Sequence, residues 1–147
     1  MEITGRVLGL DVGRRRIGVA VSDLLGMLAS PHGTVETGAD DGLGEVCRLA
    51  AQVEAVRIVV GLPLSLSGGE EGEEAQRVQA WVERLRERVA LPIELWDERF
   101  STVAAERALR EGGARREKRK ARRDAVAAAL ILQSYLDYQT RHNNPLR

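Results

Sequence analysis

Cysteine is nearly absent from this 147-residue chain: Cys47 stands alone, so no internal disulfide can form. One thiol with two histidines, His32 and His142, cannot build a typical zinc cluster either. Cys47 falls at helical spacing with Leu43, Val46, Ala50 and Val53, so a small buried hydrophobe is expected rather than an accessible nucleophile. Both histidines are expected in solvated loops, with no nucleophile placed for a hydrolase triad. Lysine is confined to Lys118 and Lys120, and the absence of Gly-x-x-x-x-Gly-Lys excludes a P-loop. Aromatic residues make up 3% of the chain, which leaves little for base stacking; affinity for nucleic acid would rest on phosphate contacts. No apolar run approaches a membrane span, and the first residues lack the charged-then-apolar pattern of a signal peptide. A cytoplasmic location with no membrane partner is expected.

What is present is balanced in amount and uneven in placement. At 44% hydrophobic content the chain is expected to form one domain over 1–147 with a substantial core. Lys+Arg and Asp+Glu both number 22, so net charge says nothing about partners. Between Arg107 and Arg123, however, nine basic residues face two acidic ones, while Glu70, Glu71, Glu73 and Glu74 crowd into five positions.

Periodicity alternates between strand and helix types. Residues 6–11 and 16–22 read as strands joined by a turn at Gly13 to Arg15, and Gly33 to Glu36 reads as a short third strand. A helix is expected over 41–55, an apolar strand from Arg57 to Gly61, and a loop through Pro63 to Gly69. The next helix, 72–89, presents Ala75, Val78, Val82, Leu85 and Val89 on one face and sets Glu73 and Arg77 for an i,i+4 pair. Leu91 to Trp96 is a further strand; Ser101 or Thr102 can cap a helix to about Arg110, and a last helix covers 121–138. The order β-β-β-α-β-α-β-α-α implies an α/β fold: a five-stranded mixed sheet, antiparallel hairpin at one flank, parallel strands beyond, helices on both faces.

Three carboxylates sit at the edges of apolar segments. Asp11 ends Arg6 to Asp11, Glu98 ends Pro92 to Glu98, and Asp124 opens the Ala/Leu/Ile-rich stretch to Tyr138. Carboxylates are rarely buried without a partner, and a divalent metal with oxygen ligands is one counter-charge all three could share. Asp124 shares a helix face with Ala128, Ile131 and Tyr135, and Asp11 and Glu98 occupy strand ends, where open α/β sheets gather ligands. If the strand after residue 57 lies between the other two, Asp11 and Glu98 stand about 10 Å apart at Cα. Structural readings stay open: Asp11 as a turn residue, Asp97 or Glu98 paired with Arg99, Asp124 near a helix start where the macrodipole favours it.

The run Arg115-Arg116-Glu117-Lys118-Arg119-Lys120-Ala121-Arg122-Arg123 ends against Asp124. Alone it would be a solvated face; beside three acids it is expected to draw in a phosphate backbone, with Gly112 and Gly113 as pivots. Arg14, Arg15 and Arg16 in the hairpin turn could serve the same groove. The Glu70 to Glu74 cluster would repel nucleic acid and is expected away from it.

Leu8-Gly9-Leu10-Asp11-Val12-Gly13, Arg16-Ile17-Gly18-Val19-Ala20-Val21-Ser22-Asp23, Val59-Val60-Gly61-Leu62-Pro63, Trp96-Asp97-Glu98-Arg99 with Ser101-Thr102, and Asp124 to Ala128 through Ile131-Leu132-Gln133 together resemble the YqgF family of bacterial RNase H-like proteins. The resemblance covers nearly the whole chain, with Ser65, Ser67 and Phe100 departing from the usual residues. It implies an RNase H-like fold, a nuclease site using Mg²⁺ or Mn²⁺, and a role in maturing the 5′ end of pre-16S rRNA. Kinship with bacterial resolvases of the same fold implies Holliday junction resolution as the alternative. The family's acidic positions fall on Asp11, Glu98 and Asp124, which favours Glu98 over Asp97. On this pattern Asp11 would bridge two metals, with Glu98 and Asp124 holding one side each. Structured RNA or branched DNA would be the partner, bound by a monomer or weak homodimer. Two rival classes remain: a non-catalytic nucleic-acid-binding assembly factor, and an actin-like phosphotransferase, which would need two such domains.

Overall fold

The computed structural model describes residues 5–64, 72–101 and 117–143. Its sheet begins with β1 (Arg6–Val12) and β2 (Arg16–Ser22), seven residues each and buried almost throughout, which pair as an antiparallel hairpin closed by Gly13 N–H donating to the Arg16 carbonyl at 2.9 Å. β3 (Ala29–Glu36) continues the meander and is twice as long as the four residues expected. Pro31 hid its first half. Proline costs a central strand a ladder hydrogen bond but is tolerated at an edge, and β3 is the edge of the order β3-β2-β1-β4-β5. A register shift beside Pro31, between Val19 and Ala20 of β2, marks the accommodation.

The chain then alternates: α1 (Leu43–Gln52), β4 (Ala55–Leu62), α2 (Glu73–Arg86), β5 (Ile93–Asp97), a 3-10 turn (Glu98–Phe100) and α3 (Glu117–Asn143). β4 runs parallel to both β1 and β5, so the strand after residue 57 does lie between the other two. The helix expected from Ser101 or Thr102 to Arg110 falls outside the described residues.

Strand alternation sorts the side chains into two layers. Leu8, Leu10 and Val12 of β1 pack with Ile17, Val19, Ile58 and Val60 beneath α1 and α2, which contribute Leu43, Val46, Val78, Val82 and Leu85. Cys47 packs against this cluster, as its helical spacing implied. The opposite parity, Val7, Ala20 and Val59, meets Ala128, Leu132, Tyr135 and Leu136 of α3. Each such buried Leu or Ile contributes about 1.5–3 kcal/mol.

Glycines set how closely α3 approaches. Gly9, Gly18 and Gly61 share the α3-facing parity, and a Cβ on any of them would collide with Leu132, with the backbone of Asp124, or with Ile131 respectively. Gly18 is the tightest: its Cβ would stand 2.0 Å from the Asp124 carbonyl oxygen. The helix backbone therefore rests almost directly on β2. Gln133 adds polar stitches from α3 to the sheet edge, accepting from Ala29 N–H and donating to the Met27 carbonyl, both at 2.9 Å.

Candidate functional site

Asp11 lies within β1, not in the hairpin turn, and its Cα is paired with Gly18. Alternation with Val7 and Gly9 turns its side chain toward α3, where it is 8% exposed. Because the Asp124 backbone touches the position of the missing Gly18 side chain, Asp11 and Asp124 are brought to the same spot on the sheet. Asp124 itself sits about two turns inside α3, which starts at Glu117. The macrodipole fades within the first turn and gives no account of an acid there. What holds it is Arg16: the Nε stands 3.4 Å from Asp124 Oδ2, with side-chain exposures of 11% and 35%.

Glu98 opens the 3-10 turn directly after β5 and is 7% exposed. Trp96, two positions earlier, packs on the α3 layer, the side of the sheet that Asp11 faces, and Glu98 lies just beyond the strand in the 3-10 turn. Asp97 faces the other way and is committed to Arg99: it caps the 3-10 turn by accepting the Arg99 backbone N–H at 2.9 Å and pairs with the guanidinium at 2.8 Å. The Arg99 side-chain bonds hold the Asp97 carboxyl below the usual carboxylate range. β4 separates β1 from β5 by two strand spacings, about 10 Å, and the register sets Trp96 level with Asp11, so Glu98 stands two residues further along.

A cleft of about 300 Å³ opens at these strand ends, lined by Asp11 and Asp124, by Arg14, Arg15 and Arg16, and by Gly61 and Pro63. Glu74 and Arg77 of α2 complete it. For Glu74 this corrects the expectation that the Glu70 to Glu74 cluster lies away from the groove; Glu70 and Glu71 lie outside the described residues. Glu74 is admitted because two arginines neutralise it: Arg14 donates through Nε at 3.0 Å and through Nη2, and Arg77 donates through Nη2 at 2.7 Å. The Arg77 hydrogen bond, then that of Arg14, lowers the Glu74 pKa. Arg77 therefore pairs with Glu74 at i,i+3, where an i,i+4 partner in Glu73 was expected. Sequence reasoning missed Glu74 and Arg77 as lining residues, since the Arg14 contact joins positions 60 apart. Sequence offered one usable signal for the cleft floor, glycines inside apolar strands, which mark close backbone approach.

Donor chemistry at the cleft is all carboxylate oxygen, the set a hard divalent cation takes. Asp11 and Asp124 share the cleft; among the described residues, no three Asp, Glu, His or Cys side chains are gathered into one ligand group. Of the basic run, Arg122 is exposed, and Arg123 is half-buried with its Nε lacking a hydrogen-bond partner among the described residues. Arg115 and Arg116 lie outside the described residues, and for Lys118, Arg119 and Lys120 only the helical backbone is described. Neither histidine is in a loop: His32 is on β3, and His142 stacks on Tyr138 in the last turn of α3, ring centroids 3.8 Å apart.

The few aromatics are concentrated. Trp96 makes ring contacts with Phe100, Tyr135 and Tyr138 at centroid separations of 5.3–5.4 Å, so the patch lies beside Glu98. Phe100 in it is 67% exposed.

Comparison with known proteins agrees with this architecture. A family model described as RuvX, Holliday junction resolvase, matches residues 5–138. The Chloroflexus aurantiacus protein named "Putative pre-16S rRNA nuclease" is 43% identical over 142 residues, 96% of this chain and 91% of that one. A Roseiflexus protein of the same name is 46% identical over 136 residues, covering 92% and 96%. Thermus thermophilus RuvC, solved in complex with a Holliday junction substrate, superposes with a TM-score of 0.56 at 15% identity over 92% of this chain and 97% of that one, a likeness of fold. The sheet order and flanking helices are accordingly RNase H-like. Matched by the family model over residues 5–138 and by relatives above 40% identity over more than nine-tenths of its length, this chain belongs to the RuvX (YqgF) family.

Proposed function

We propose that this chain is a divalent-metal-dependent nuclease that hydrolyses phosphodiester bonds in structured RNA, acting at the 5′ end of pre-16S rRNA. The observation that carries the reading is the cleft in which buried Asp11 and Arg16-held Asp124 stand together among arginines at the carboxyl ends of the strands. Names carried by the relatives support RNA as the substrate.

In this proposal Asp11 and Asp124 would hold Mg²⁺ or Mn²⁺, with Glu98 contributing from the turn after β5. Such an ion supplies an activated water and stabilises charge on the leaving oxygen. The protein's own part is orientation and charge balance. Arg16, nearly buried, fixes the Asp124 carboxylate and offsets its repulsion with Asp11. Arg14, Arg15 and the basic run from Arg115 to Arg123 would counter the approach of a polyanion toward the acids. Hydrolysis adds a water oxygen to phosphorus and breaks the bond to the 3′ oxygen, which takes up a proton. Recognition would follow strand shape and phosphate position, because the lining is built of carboxylates and arginines with no aromatic side chain to stack a base.

The test is cleavage of a labelled RNA carrying the 16S 5′ leader, beside a four-way DNA junction, in Mg²⁺ or Mn²⁺ and in EDTA. Metal-dependent cutting of the RNA is expected. Metal-dependent cutting of the junction alone would establish the second reading, a resolvase, which the family model's description and the RuvC fold favour. Paired junction cuts would call for a symmetric dimer. Binding without cutting in either metal would identify a non-catalytic assembly factor.

A further inference from the structure

A second cavity, about 390 Å³, adjoins the carboxylate cleft and shares with it a wall of Val12, Gly13, Arg14 and Arg77. Its far side is formed by one face of α2, where Arg77, Ala80, Trp81 and Arg84 follow the i, i+3, i+4, i+7 pattern. Three guanidinium groups line it; Arg14 and Arg77 share the Glu74 carboxylate and Arg84 pairs with Asp41, so three cations face two carboxylates, an excess of one positive charge.

These cations are held in place. Arg84 Nη1 donates to Asp41 Oδ2 at 2.6 Å, and Asp41 is fixed in turn by its carbonyl, which accepts Trp81 Nε1–H at 2.8 Å. Asp41 has a left-handed backbone, φ 59°. Arg77 is anchored to the Val12 carbonyl at 3.0 Å, and the Thr37 hydroxyl donates to the Arg14 carbonyl at 3.0 Å, pinning the hairpin turn. Trp81 is buried and forms floor, so the cavity offers fixed cations and no exposed aromatic face: it suits phosphate, not a base.

We propose that this cavity is a phosphate subsite for the same nucleic-acid strand that enters the cleft, binding its backbone to one side of the reacting bond. The proposal rests on the nuclease reading above. Arg77 borders both cavities, and Arg84 lies seven residues further along α2, about 10.5 Å at 1.5 Å per residue. Arg84 is outside the carboxylate cleft, which makes it the residue that reports on this subsite alone.

Binding of a dinucleotide and of a single-stranded 12-nucleotide RNA, measured by fluorescence anisotropy in EDTA across a salt series, tests the subsite. Arg84→Gln should weaken the 12-mer about tenfold, the scale of one charge-assisted contact. Its log-log salt slope should flatten by about 0.7, and the dinucleotide should be unaffected. Asp41→Asn breaks the same ion pair but keeps the cation, so it should bind the 12-mer as tightly as wild type or more tightly. Wild-type affinity and slope in Arg84→Gln would overturn the proposal. So would equal weakening in both variants, which would make the pair merely structural, or no RNA binding by the wild type. Cleavage is scored separately: a split between the two variants without any cutting would leave the subsite standing and remove the nuclease reading.

Discussion

Replacing Gly18 with alanine should disable the protein more than any surface change of that size. Gly18 pairs with Asp11 across the hairpin, and the added Cβ would stand 2.0 Å from the carbonyl oxygen of Asp124, 2.5 Å from its carbonyl carbon and 3.2 Å from Ala125 N. All three are helix backbone atoms and cannot rotate aside. Contacts under 3.0 Å are not sustained, so α3 has to lift from β2 by at least about 1 Å. Overpacking of this kind costs about 1–3 kcal/mol. At roughly 2–4 °C per kcal/mol for a chain of this size, Tm should fall by about 2–12 °C. Since α3 carries Asp124, the lift also parts it from Asp11, and a misplacement near 1 Å can lower a rate about 100-fold. Gly33→Ala is the control, because a Cβ on that edge-strand residue meets nothing within 4 Å. Thermal unfolding and initial cleavage rates of the two variants check the argument. Wild-type Tm and rate in Gly18→Ala, or equal losses in Gly33→Ala, would refute it.

The Glu74 ion pairs should shape the acid limb of stability. Arg77 and Arg14 lower the folded-state pKa of Glu74 from its ordinary 4.5, so the stabilisation is complete above that value and is lost as pH falls through the lowered one. Glu74→Gln should therefore show a shallower loss of Tm below about pH 4.5 than wild type, and parallel curves would contradict the pairing. Changing Arg115, Arg116, Lys118, Arg119 and Lys120 to Gln should weaken binding to all nucleic-acid sequences alike and flatten the salt slope by about 0.7–0.9 per lost phosphate contact. An unchanged slope would mean that the run is only solvated.

Local pattern made the central strands and the two-sided packing legible. β2 was readable residue for residue because seven alternating positions, Arg16 to Ser22, serve two different faces. Boundaries failed where tertiary context overrides local preference. β3 extends back through Pro31 and His32 because an edge position excuses the missing N–H, and α3 begins at Glu117 although its first turns carry charge rather than an apolar stripe. α2 ends at Arg86, short of Val89, which nonetheless packs on the core. In the cleft, the Asp11 and Asp124 candidates could be picked out as carboxylates at apolar edges, and the sheet places them together through Gly18. The arginine partners could not be read in advance: Arg16 to Asp124 spans 108 positions and Arg14 to Glu74 spans 60, and such contacts leave no periodicity in the chain.

The central claim is that carboxylates at this cleft support metal-dependent phosphodiester hydrolysis. Its most direct measurement is the Mn²⁺ dependence of cleavage of a labelled 16S-leader RNA by wild type and by Asp11→Asn, with circular dichroism to establish that both are folded. Asn keeps the volume of Asp and binds metal poorly, so the account predicts saturable activation of the wild type, none in EDTA, and loss of cleavage in a variant whose Tm is unchanged or raised. Near-wild-type cutting by folded Asp11→Asn, or cutting that persists in EDTA, would contradict it.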